Sequence, residues 1–358
     1  MKVAPIMSAL TRRGHEAVLV HTGQHYDPQM SDTFFEQLGI PAPAFSLGVG
    51  SETHAVQTAR IMERFEPVLL EARPDWVVVV GDVNSTLAVS LVAAKRRQEL
   101  RCGLAHVEAG LRSGDWRMPE EVNRVVTDHL SDLLLTPSHD ARENLLREGN
   151  PDELIRFVGN VMIDTLVAQR ESAQRLCMPM KLGVGSDYVV ATLHRPSNVD
   201  DRHTLSILLE SLARIAAERP VVLPMHPRTR ARAAEFGLEN FLTSIRVTEP
   251  LGYLEMLGLT DGATVVLTDS GGLQEETTAL GVRCVTLREQ TERPVTISHG
   301  TNRLVPWPMS VDGILAAYED ALDRRTECGL RPDGWDGHAA ERVVDALIEI
   351  EPGARLRL

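Results

Sequence analysis

The sequence predicts an α/β protein made of two domains, each a doubly wound parallel sheet covered by helices. A chain of 358 residues is too long for one hydrophobic core of ordinary size and fits two. Apolar runs alternate with amphipathic stretches almost throughout, which is typical of βαβ units. The run Trp76–Val80 is apolar at every position, which predicts a central strand covered on both faces. These observations predict two Rossmann-like domains facing each other across a cleft, where open α/β sheets bind ligands.

In the first half of the chain, short apolar runs bounded by turn residues mark the strands. Strands are predicted at residues 15–22, 75–81, 101–107, 133–136 and 156–159, and helices at 28–38, 52–71, 85–97, 120–130 and 141–148. The chain opens with a predicted helix at residues 3–13 that no strand precedes. Because the first strand of a doubly wound sheet usually lies at its centre, we expect that the first strand is missing and that the natural protein is longer at its N-terminus.

A polar stretch at residues 171–186 interrupts the alternation and predicts a domain junction. The first domain is therefore placed at residues 1–170 and the second at residues 171–338. In the second domain, strands are predicted at 188–193, 220–225, 264–268 and 284–287, and helices at 204–218, 228–236, 273–280 and 311–324. A last helix at 339–350, within the segment that ends at residue 358, is predicted to pack back on the first domain.

Composition restricts the class of protein and its partners. With 43% hydrophobic and 24% charged residues, and no apolar stretch long enough to span a bilayer, the chain is typical of globular proteins. A net charge of −13 disfavours non-specific binding to nucleic acid or to an anionic membrane. The four cysteines form no CxxC pair, and the first residues do not resemble a secretory signal. We therefore expect reduced thiols and a cytoplasmic protein.

The strongest local motif is TDSGGLQEE, at residues 268–276, which follows an apolar strand and opens a helix. Gly271 and Gly272 allow the backbone to approach a ligand closely, and the N–H groups at a helix start bind phosphate. Ser270 adds a hydroxyl donor, and Glu276, one helical turn further on, offers a carboxylate to two ribose hydroxyls. The alternative is an ordinary strand–helix turn in which serine and glycine are capping residues.

Three motifs of the first half place acids at strand ends or at a helix start. GDVNST (81–86) puts Asp82 at the carboxyl edge of the sheet, unless Asp82 or Asn84 merely caps the next helix. HVEAGLR (106–112) aims Glu108 into the cleft, unless that carboxylate only accepts from loop amides. PEEVNR (119–124) sets Glu120 in a first helical turn, where acids also serve as capping charges. Arg124 lies one turn further on, on the same side.

Cationic and amide side chains follow other strands. LHRPSN (193–198) and HPR (226–228) put His194 and His226 at corresponding strand ends, and a histidine beside an arginine suits a pyrophosphate. In the polar loop REQTERP (288–294), Arg293 neutralises phosphate or closes a lid, unless the loop is simply solvated. TGQH (22–25) is a weaker motif of the same kind. No paired Cys/His ligands, no GxSxG and no GxGxxG occur in the sequence, so we expect no zinc site.

In their order and spacing, these eight motifs resemble the non-hydrolysing UDP-N-acetylglucosamine 2-epimerases across nearly the whole chain. The resemblance implies the fold of the B-type glycosyltransferases, with the nucleotide held mainly by the second domain, and a homodimer. It implies that Asp82, Glu108 and Glu120 are the acid–base carboxylates and that His194 is an essential residue near the diphosphate.

The resemblance extends to the residues that bind substrate. It implies that the substrate-binding residues are Lys2, Arg124, Ser270, Gly271, Gly272, Glu276 and Arg293. Gln24, Arg195 and His226 match positions that, in bacterial members, bind a second, activating substrate molecule. The chain also departs from the family's pattern. In the family, a strand and a GTRP loop precede the KVAP segment (2–5), the loop before Pro119 is longer, and many members carry Glu at the position of Val295.

Inverting the second carbon of the sugar places its own demands on the site. The C2 hydrogen is not next to a carbonyl group, so inversion needs either transient oxidation by a nicotinamide or elimination of UDP to a glycal. Elimination needs carboxylates on both faces of C2, and cations and N–H donors for the departing diphosphate. The motifs supply both sets, with no metal and no redox cofactor.

The predicted function is therefore interconversion of UDP-N-acetylglucosamine and UDP-N-acetylmannosamine, for cell-surface polysaccharide precursors. Three alternatives stay open. They are a 2-epimerase for a related UDP-2,3-diacetamido sugar, a B-type glycosyltransferase, and a UDP-sugar-binding protein without catalysis.

Overall fold

The computed structural model describes residues 1–23, 38–323 and 331–352, and elements are numbered over those residues. Contacts divide the chain into two units: unit one is Met1–Thr165 with Asp333–Leu358, and unit two is Leu166–Pro332. Each unit has its own parallel sheet and its own hydrophobic core. Two α/β units with parallel sheets confirm the predicted fold class. Along the described ranges, no helix is both long and apolar enough to cross a membrane.

Unit one is built on parallel strands. Its described strands are β1 (Val20–His21), β2 (Phe45–Ser46), β3 (Trp76–Val80), β4 (Gly103–Val107), β5 (Leu133–Thr136) and β6 (Ile155–Phe157). Its described helices are α1 (Val3–Arg12), α2 (His54–Ala72), α3 (Asn84–Leu100), α4 (Pro119–Leu130), α5 (His139–Arg147) and α15 (Ala339–Glu349). The main sheet has the order β3-β4-β5-β6, and β1 and β2 form a separate parallel pair.

Two predictions for unit one are wrong in detail. The strand predicted at 15–22 is only Val20–His21, because residues 15–18 are mostly exposed and offer no buried face. Trp76–Val80 is a strand, but among the described residues it is hydrogen-bonded on one side only, to β4. The fully buried strands of the main sheet are its two inner strands, β4 and β5. A β-branched run sets strand propensity, whereas the number of neighbours is decided by the sheet order. The helix predicted at 28–38 lies outside the described residues, apart from Leu38.

Unit two holds a larger sheet. Its strands are β7 (Val189–Thr192), β8 (Val221–Pro224), β9 (Arg246–Thr248), β10 (Val265–Thr268), β11 (Arg283–Thr286) and β12 (Asn302–Leu304). Its described helices are α7 (Met178–Lys181), α8 (Pro196–Val199), α9 (Arg202–Ala216), α10 (Pro227–Glu235), α11 (Tyr253–Asp261), α12 (Gly271–Leu280), α13 (Val295–Ser298) and α14 (Val311–Asp323). The short edge strands β9 and β12 had no counterpart in the predicted pattern, because three residues are too few to show alternation.

The strand order of unit two is β12-β11-β10-β7-β8-β9, and all its strands are parallel. The order reverses direction between β7 and β10, as in the mononucleotide-binding sheets of dehydrogenases. In such sheets ligands bind outside the carboxyl ends of the strands, at the switch point. Helix α9 anchors this sheet through Leu205, Leu208, Leu209 and Leu212, which share one buried face.

The chain passes from unit one to unit two inside helix α6 (Val161–Arg175). This crossing lies a few residues before the predicted boundary at residue 170. The polar stretch at 171–186 contains the end of α6 and the helix α7, whose polar residues are mostly exposed. Asp164 in α6 accepts hydrogen bonds from the backbone N–H groups of Ala339 and Ala340, at 3.1 and 2.6 Å. It thereby satisfies the first turn of α15, which packs against α1 in unit one.

Candidate functional site

In unit one, the ends of β3 and β4 bring three of the expected site residues together. The register pairs Val80 with Val107, so Gly81 and Asp82 follow one strand and Glu108 follows its neighbour. The ammonium group of Lys2 forms an ion pair with Glu108, which is buried. A Cβ atom at Gly81 would lie 3.2 Å from the Lys2 nitrogen and 3.8 Å from the Glu108 carboxylate. The absence of a side chain at Gly81 therefore leaves room for this ion pair.

Glu108 has a left-handed backbone conformation, with φ of +72°. Non-glycine residues adopt this region rarely and at a cost of about 1–3 kcal/mol, so they persist where the surroundings hold them. The alternative in which Glu108 only accepts from loop amides does not describe this residue, because its carboxylate carries the Lys2 ion pair.

Asp82 is held by helix α4. Its carboxylate lies 2.5 Å from the guanidinium of Arg124, and its backbone carbonyl accepts from the Asn123 amide at 2.8 Å. The capping alternative for Asp82 and Asn84 is wrong, because the N-cap position of α3 is Val83, which makes no side-chain cap. Asp82 is therefore presented at the sheet edge beside a buried cation.

The two acids at the start of α4 differ in their surroundings. Glu121 is buried, accepts from the backbone N–H groups of Ser113 and Gly114, and lies 2.8 Å from Arg124. It therefore holds the preceding loop in place. Glu120 is half-buried, and within the described ranges its carboxylate makes no hydrogen bond or ion pair. It lies three and four residues before Asn123 and Arg124, on the face of the helix that meets Asp82.

A buried cluster beneath these groups was missed by sequence reasoning. His106 lies between Gly81, whose carbonyl oxygen is 2.8 Å from Nε2, and Asp128, 2.6 Å from Nδ1. Asp128 also accepts from Arg112 and from the N–H of Gly110. Burial opposes ionisation of Asp128, but His106 and Arg112 outweigh it and hold its pKa below the usual value. The cluster ties the ends of β3 and β4 together, and the only sequence signal was the presence of His106 in HVEAGLR.

In unit two, the strands on either side of the switch point end in functional motifs. The register pairs Thr192 with Thr268, and their hydroxyl groups lie 2.6 Å apart. His194 follows β7, and Asp269 follows β10. The imidazole Nδ1 of His194 lies 2.7 Å from the carboxylate of Asp269. Asp269 is fully buried, whereas about half of the His194 side chain is exposed.

Ser270, Gly271 and Gly272 form the start of α12. Ser270 is the N-cap, and its hydroxyl accepts from the N–H of Leu273 at 3.5 Å. A Cβ atom at Gly271 would lie 2.6 Å from the Arg293 guanidinium and 3.0 Å from the Glu292 carboxylate. Gly271 is therefore required for close packing over these charges. Capping and phosphate binding are compatible here, because the free N–H groups of a helix start remain an anion site.

Beneath this turn lies a buried cluster of arginines and glutamates. Arg293 lies 2.8 Å from Glu275 and pairs with Glu292, and Arg288 lies 2.8 Å from Glu292. Burial lowers the pKa of Arg288. The solvated-loop alternative for residues 288–294 is therefore wrong, since both arginines are buried. Arg195 is 3.7 Å from Glu292 and donates to the backbone carbonyl of Asp269.

Glu276 lies deeper in the same helix and is almost completely buried. Burial and the neighbouring carboxylate of Glu275 raise its pKa to about 8, against a smaller opposing effect of Tyr253. Desolvation together with Glu276 in turn raises the pKa of Tyr253. Glu276 is therefore mostly neutral at pH 7, and hydroxyl groups that donate to its carboxylate would favour loss of the proton.

Of the residues matched to an activating site, His226 is described by the structure and Gln24 is not. His226 is the N-cap of α10, where its Nδ1 accepts from the N–H of Arg228 at 3.2 Å. Gln24 lies outside the described residues. The activating role of Gln24, Arg195 and His226 stays a prediction. Across the described part of the chain, no group of three or more His, Cys, Asp or Glu is arranged to hold a metal ion.

Comparison with known proteins gives matches over nearly the full length. A family model for UDP-N-acetylglucosamine 2-epimerase matches residues 8–348. The UDP-N-acetylglucosamine 2-epimerase of Methanocaldococcus jannaschii is 41% identical over 356 residues, 97% of this chain and 95% of that protein. The UDP-2,3-diacetamido-2,3-dideoxy-D-glucuronate 2-epimerase of Pseudomonas aeruginosa is 44% identical over 339 residues, 93% of this chain and 91% of that protein. The solved M. jannaschii UDP-GlcNAc 2-epimerase, in complex with UDP-GlcNAc and UDP, has a TM-score of 0.88 at 40% identity, covering 98% of this chain and 96% of that chain.

Proposed function

The chain belongs to the UDP-N-acetylglucosamine 2-epimerase family, and from that premise we propose that it interconverts UDP-N-acetylglucosamine and UDP-N-acetylmannosamine. The observation that carries the proposal is in unit one. Asp82 and Glu108 end neighbouring strands, each beside a cation, and Glu120 starts the helix whose Arg124 binds Asp82. Sugar transfer to an acceptor does not require three carboxylates at one sheet edge, whereas inversion of C2 requires acids on both faces.

The reaction proceeds by elimination and re-addition. A carboxylate removes the C2 proton, the electron pair forms a C1=C2 double bond, and the bond from C1 to the diphosphate oxygen breaks, so that this pair leaves with UDP. UDP then adds back to C1 while a proton is delivered to C2 from the opposite face. Asp82, Glu108 and Glu120 are the acid–base candidates; Lys2 pairs with Glu108, and Arg124 pairs with Asp82. No net oxidation occurs, so the scheme requires no redox cofactor.

Unit two supplies the groups for the nucleotide. The N–H groups of Gly271 and Gly272 lie at the start of α12, at the switch point where mononucleotide sheets bind ligands. The N–H of Ser270 donates to the Thr268 hydroxyl at 2.9 Å. His194 stands at the neighbouring strand end, half-exposed. Arg293 contributes its charge from beneath Gly271. Stabilising the diphosphate as it leaves, without releasing it, is the contribution that this unit makes to the rate.

A second candidate substrate has support of its own. The P. aeruginosa relative at 44% identity is named for a UDP-2,3-diacetamido-2,3-dideoxy-D-glucuronate. Both sugars share the UDP, the 2-acetamido group and the C2 centre, so the same carboxylates and cradle serve either. The sugar is decided by contacts to C3 and C6, which the motifs do not specify.

The test is incubation with each UDP-sugar in deuterated water. We expect the manno epimer from UDP-N-acetylglucosamine, with deuterium at C2 of both epimers. Conversion of the diacetamido uronate alone would transfer the proposal to that sugar, and conversion of neither would refute it. A nicotinamide route that exchanges the same hydrogen is distinguished by the glycal and free UDP that only elimination releases.

Two conservative variants test the carboxylates directly. Glu108→Gln and Glu120→Gln keep the shape of the side chain and remove the proton acceptor. We expect each to bind UDP almost normally and to lose on the order of 10²-fold or more in kcat. Asp261→Asn is the matched control, since Asp261 is a carboxylate of unit two whose partners include Arg170 and Gln174. Normal turnover in both glutamine variants would show that the elimination scheme is assigned to the wrong residues.

We further propose a homodimer that works in the cytoplasm, in which Gln24, Arg195 and His226 bind a second, activating UDP-sugar. The free cysteines Cys102, Cys177 and Cys284 are consistent with a reducing compartment. Sedimentation analysis of the chain tests the homodimer. A sigmoidal dependence of rate on substrate concentration tests the activating UDP-sugar.

A further inference from the structure

Asp269 is a fully buried carboxylate at the switch point of unit two. It follows β10, one residue beyond Thr268, and meets the segment that follows β7, where His194 lies two residues beyond the paired position Thr192. Because neighbouring parallel strands end at the same edge, the register itself places Asp269 against His194, 75 residues earlier in the chain. Asp269 is thus the link between His194 and the Ser270–Gly272 turn.

The carboxylate of Asp269 is surrounded by hydrogen-bond donors. One oxygen lies 2.7 Å from the Nδ1 of His194. The other accepts from the backbone N–H groups of His194 and Arg195, both at 3.0 Å, and from the side-chain amide of Asn198 at 3.1 Å. Burial by itself raises the pKa of Asp269, but these donors outweigh it, and the pKa lies below its usual value. Asp269 is therefore ionised and can only accept.

An ionised carboxylate at 2.7 Å from Nδ1 requires a proton on that nitrogen. The proton on one imidazole nitrogen determines what the other nitrogen can do. With Nδ1 committed to the buried Asp269, Nε2 is the ring nitrogen left to contact a ligand, and about half of the His194 side chain is exposed. The ring cannot rotate without breaking this contact, so its direction is set by Asp269.

We propose that Asp269 is a positioning residue, which holds His194 in the form protonated at Nδ1 and directs Nε2 towards the diphosphate of the nucleotide sugar. When Nε2 also carries a proton, its N–H donates to the leaving diphosphate while Nδ1–H stays bound to Asp269. This inference rests on the proposed function for its catalytic consequence, but the protonation and direction of the ring are properties of the chain alone. The competing interpretation is that Asp269 only satisfies the N–H groups of the loop after β7.

The first experiment needs no substrate. The chain is labelled with 15N-histidine, and the signals of His194 are identified as those absent from His194→Gln. We expect a proton on Nδ1 of His194 at pH 7.5. In Asp269→Asn the amide nitrogen faces the N–H donors or the imidazole, so the Nδ1 proton is no longer enforced and the signals shift. A parent spectrum with Nδ1 unprotonated would overturn the proposal, whatever the variants do.

The second experiment is a double-mutant cycle on turnover, with whichever UDP-sugar the enzyme converts. We expect Asp269→Asn to lower kcat by on the order of 10²-fold with UDP affinity changed only a few-fold. If Asp269 acts through His194, the double variant is no slower than His194→Gln alone, within about twofold. Multiplied losses would mean that Asp269 acts independently, and the proposal would fall.

Asp261→Asn is again the matched control. Asp261 is a buried carboxylate of the same unit, bound by Arg170 at 2.7 Å, and it lies before the start of β10, at the opposite sheet edge from Asp269. We expect its kcat to remain near the parent value. Equal losses in both variants would mark the effect of Asp269 as general loss of stability. Absence of epimerase activity in the parent would refute the proposed function, while the histidine spectrum would still decide this inference.

Discussion

At the scale of single residues, Glu276 links the electrostatics of unit two to ligand binding. Its carboxyl group is almost completely buried beside Glu275 and has a pKa of about 8. A neutral carboxyl group uses one oxygen as a donor, whereas a carboxylate accepts from two hydroxyls. The ribose contact expected for Glu276 would therefore favour the ionised form, and binding of the two hydroxyls would lower the pKa. Because burial keeps Glu276 mostly neutral in the free chain, nucleotide binding at this residue is expected to be coupled to release of its proton.

We predict that UDP binding releases a proton below about pH 8. UDP affinity is then expected to increase by up to about tenfold per pH unit towards pH 8 and to level off above it. Calorimetry in buffers of different ionisation enthalpy measures the released proton. Glu276→Gln is the reference in the same buffers, since the phosphate of the nucleotide titrates equally in both proteins. Equal proton release by the variant would exclude Glu276 as its source.

The same residue affects stability, with a sign that follows from the direction of its pKa shift. The pKa is raised on folding, so the folded chain binds more protons than the unfolded chain between about pH 4.5 and about pH 8. The contribution of the neutral Glu276 to stability is complete below that window and is lost as the pH rises through it. In urea unfolding we expect Glu276→Gln to gain stability relative to the parent as the pH rises from 5 to 8. A difference that is independent of pH would contradict the raised pKa.

At the scale of elements, the turn after β4 is fixed by contact with helix α5. Gly110 has φ of +84°, and a Cβ atom there would lie 2.3 Å from the backbone carbonyl oxygen of Ala141 in α5. The Asn144 side chain also donates to the carbonyl of Gly110, at 3.0 Å. A helix backbone cannot give way as a side chain can. The turn that carries Glu108 therefore depends on a glycine two residues later.

We predict that Gly110→Ala is destabilising by several kcal/mol and lowers turnover, because both the strained φ and the clash act at once. Gly149→Ala is the matched control, with φ of +83° and no atom within 4 Å of its Cβ position. It carries the conformational cost alone, about 1–2 kcal/mol. Urea unfolding of both variants separates the two contributions. Equal losses would mean that the contact with α5 is of no consequence.

At the scale of the whole molecule, the last described helix belongs to the core of unit one. Val343 and Val344 of α15 are fully buried and cluster with Ile6, Ala9 and the strands β4 and β5. The fold of unit one is therefore completed by residues that follow unit two in the chain. Folding of unit one requires contacts between the two ends of the described sequence, which cost more chain entropy than local ones.

We predict that Val344→Asp selectively destabilises unit one, by about 3–5 kcal/mol, because it buries an unpaired charge. Ile348→Asp is the matched control on the same helix, since that side chain is 55% exposed. Hydrogen exchange resolves the outcome by unit. We expect faster exchange in β4 and β5 and unchanged exchange in β7 and β10. Equal loss of protection in both sheets would mean that the two units unfold together.

Much of the secondary structure follows from local sequence. The strands β5, β8 and β10 and the helices α2, α4 and α9 lie within a few residues of the predicted bounds, because period and turn residues are read within a short window. The local pattern does not predict the edge strands β9 and β12. It also does not predict α11, because that helix is apolar around most of its circumference and shows no clear period. The position of β3 at the edge of its sheet depends on the strand order, which cannot be predicted from a local sequence pattern.

For the candidate site, the order of motifs along the chain predicts which residues stand at strand ends, because a βα turn depends on neighbouring residues. The partners of those residues depend on how the strands and helices pack. Asp82 was expected as an acid, and its cation Arg124 comes from another helix. Arg293 was expected to neutralise phosphate or to close a lid, and it is buried among glutamates. The pairing of Asp269 with His194 depends on register between strands far apart in the chain. Charges separated by many residues become neighbours only through strand order and packing, so their partners could not be inferred from spacing.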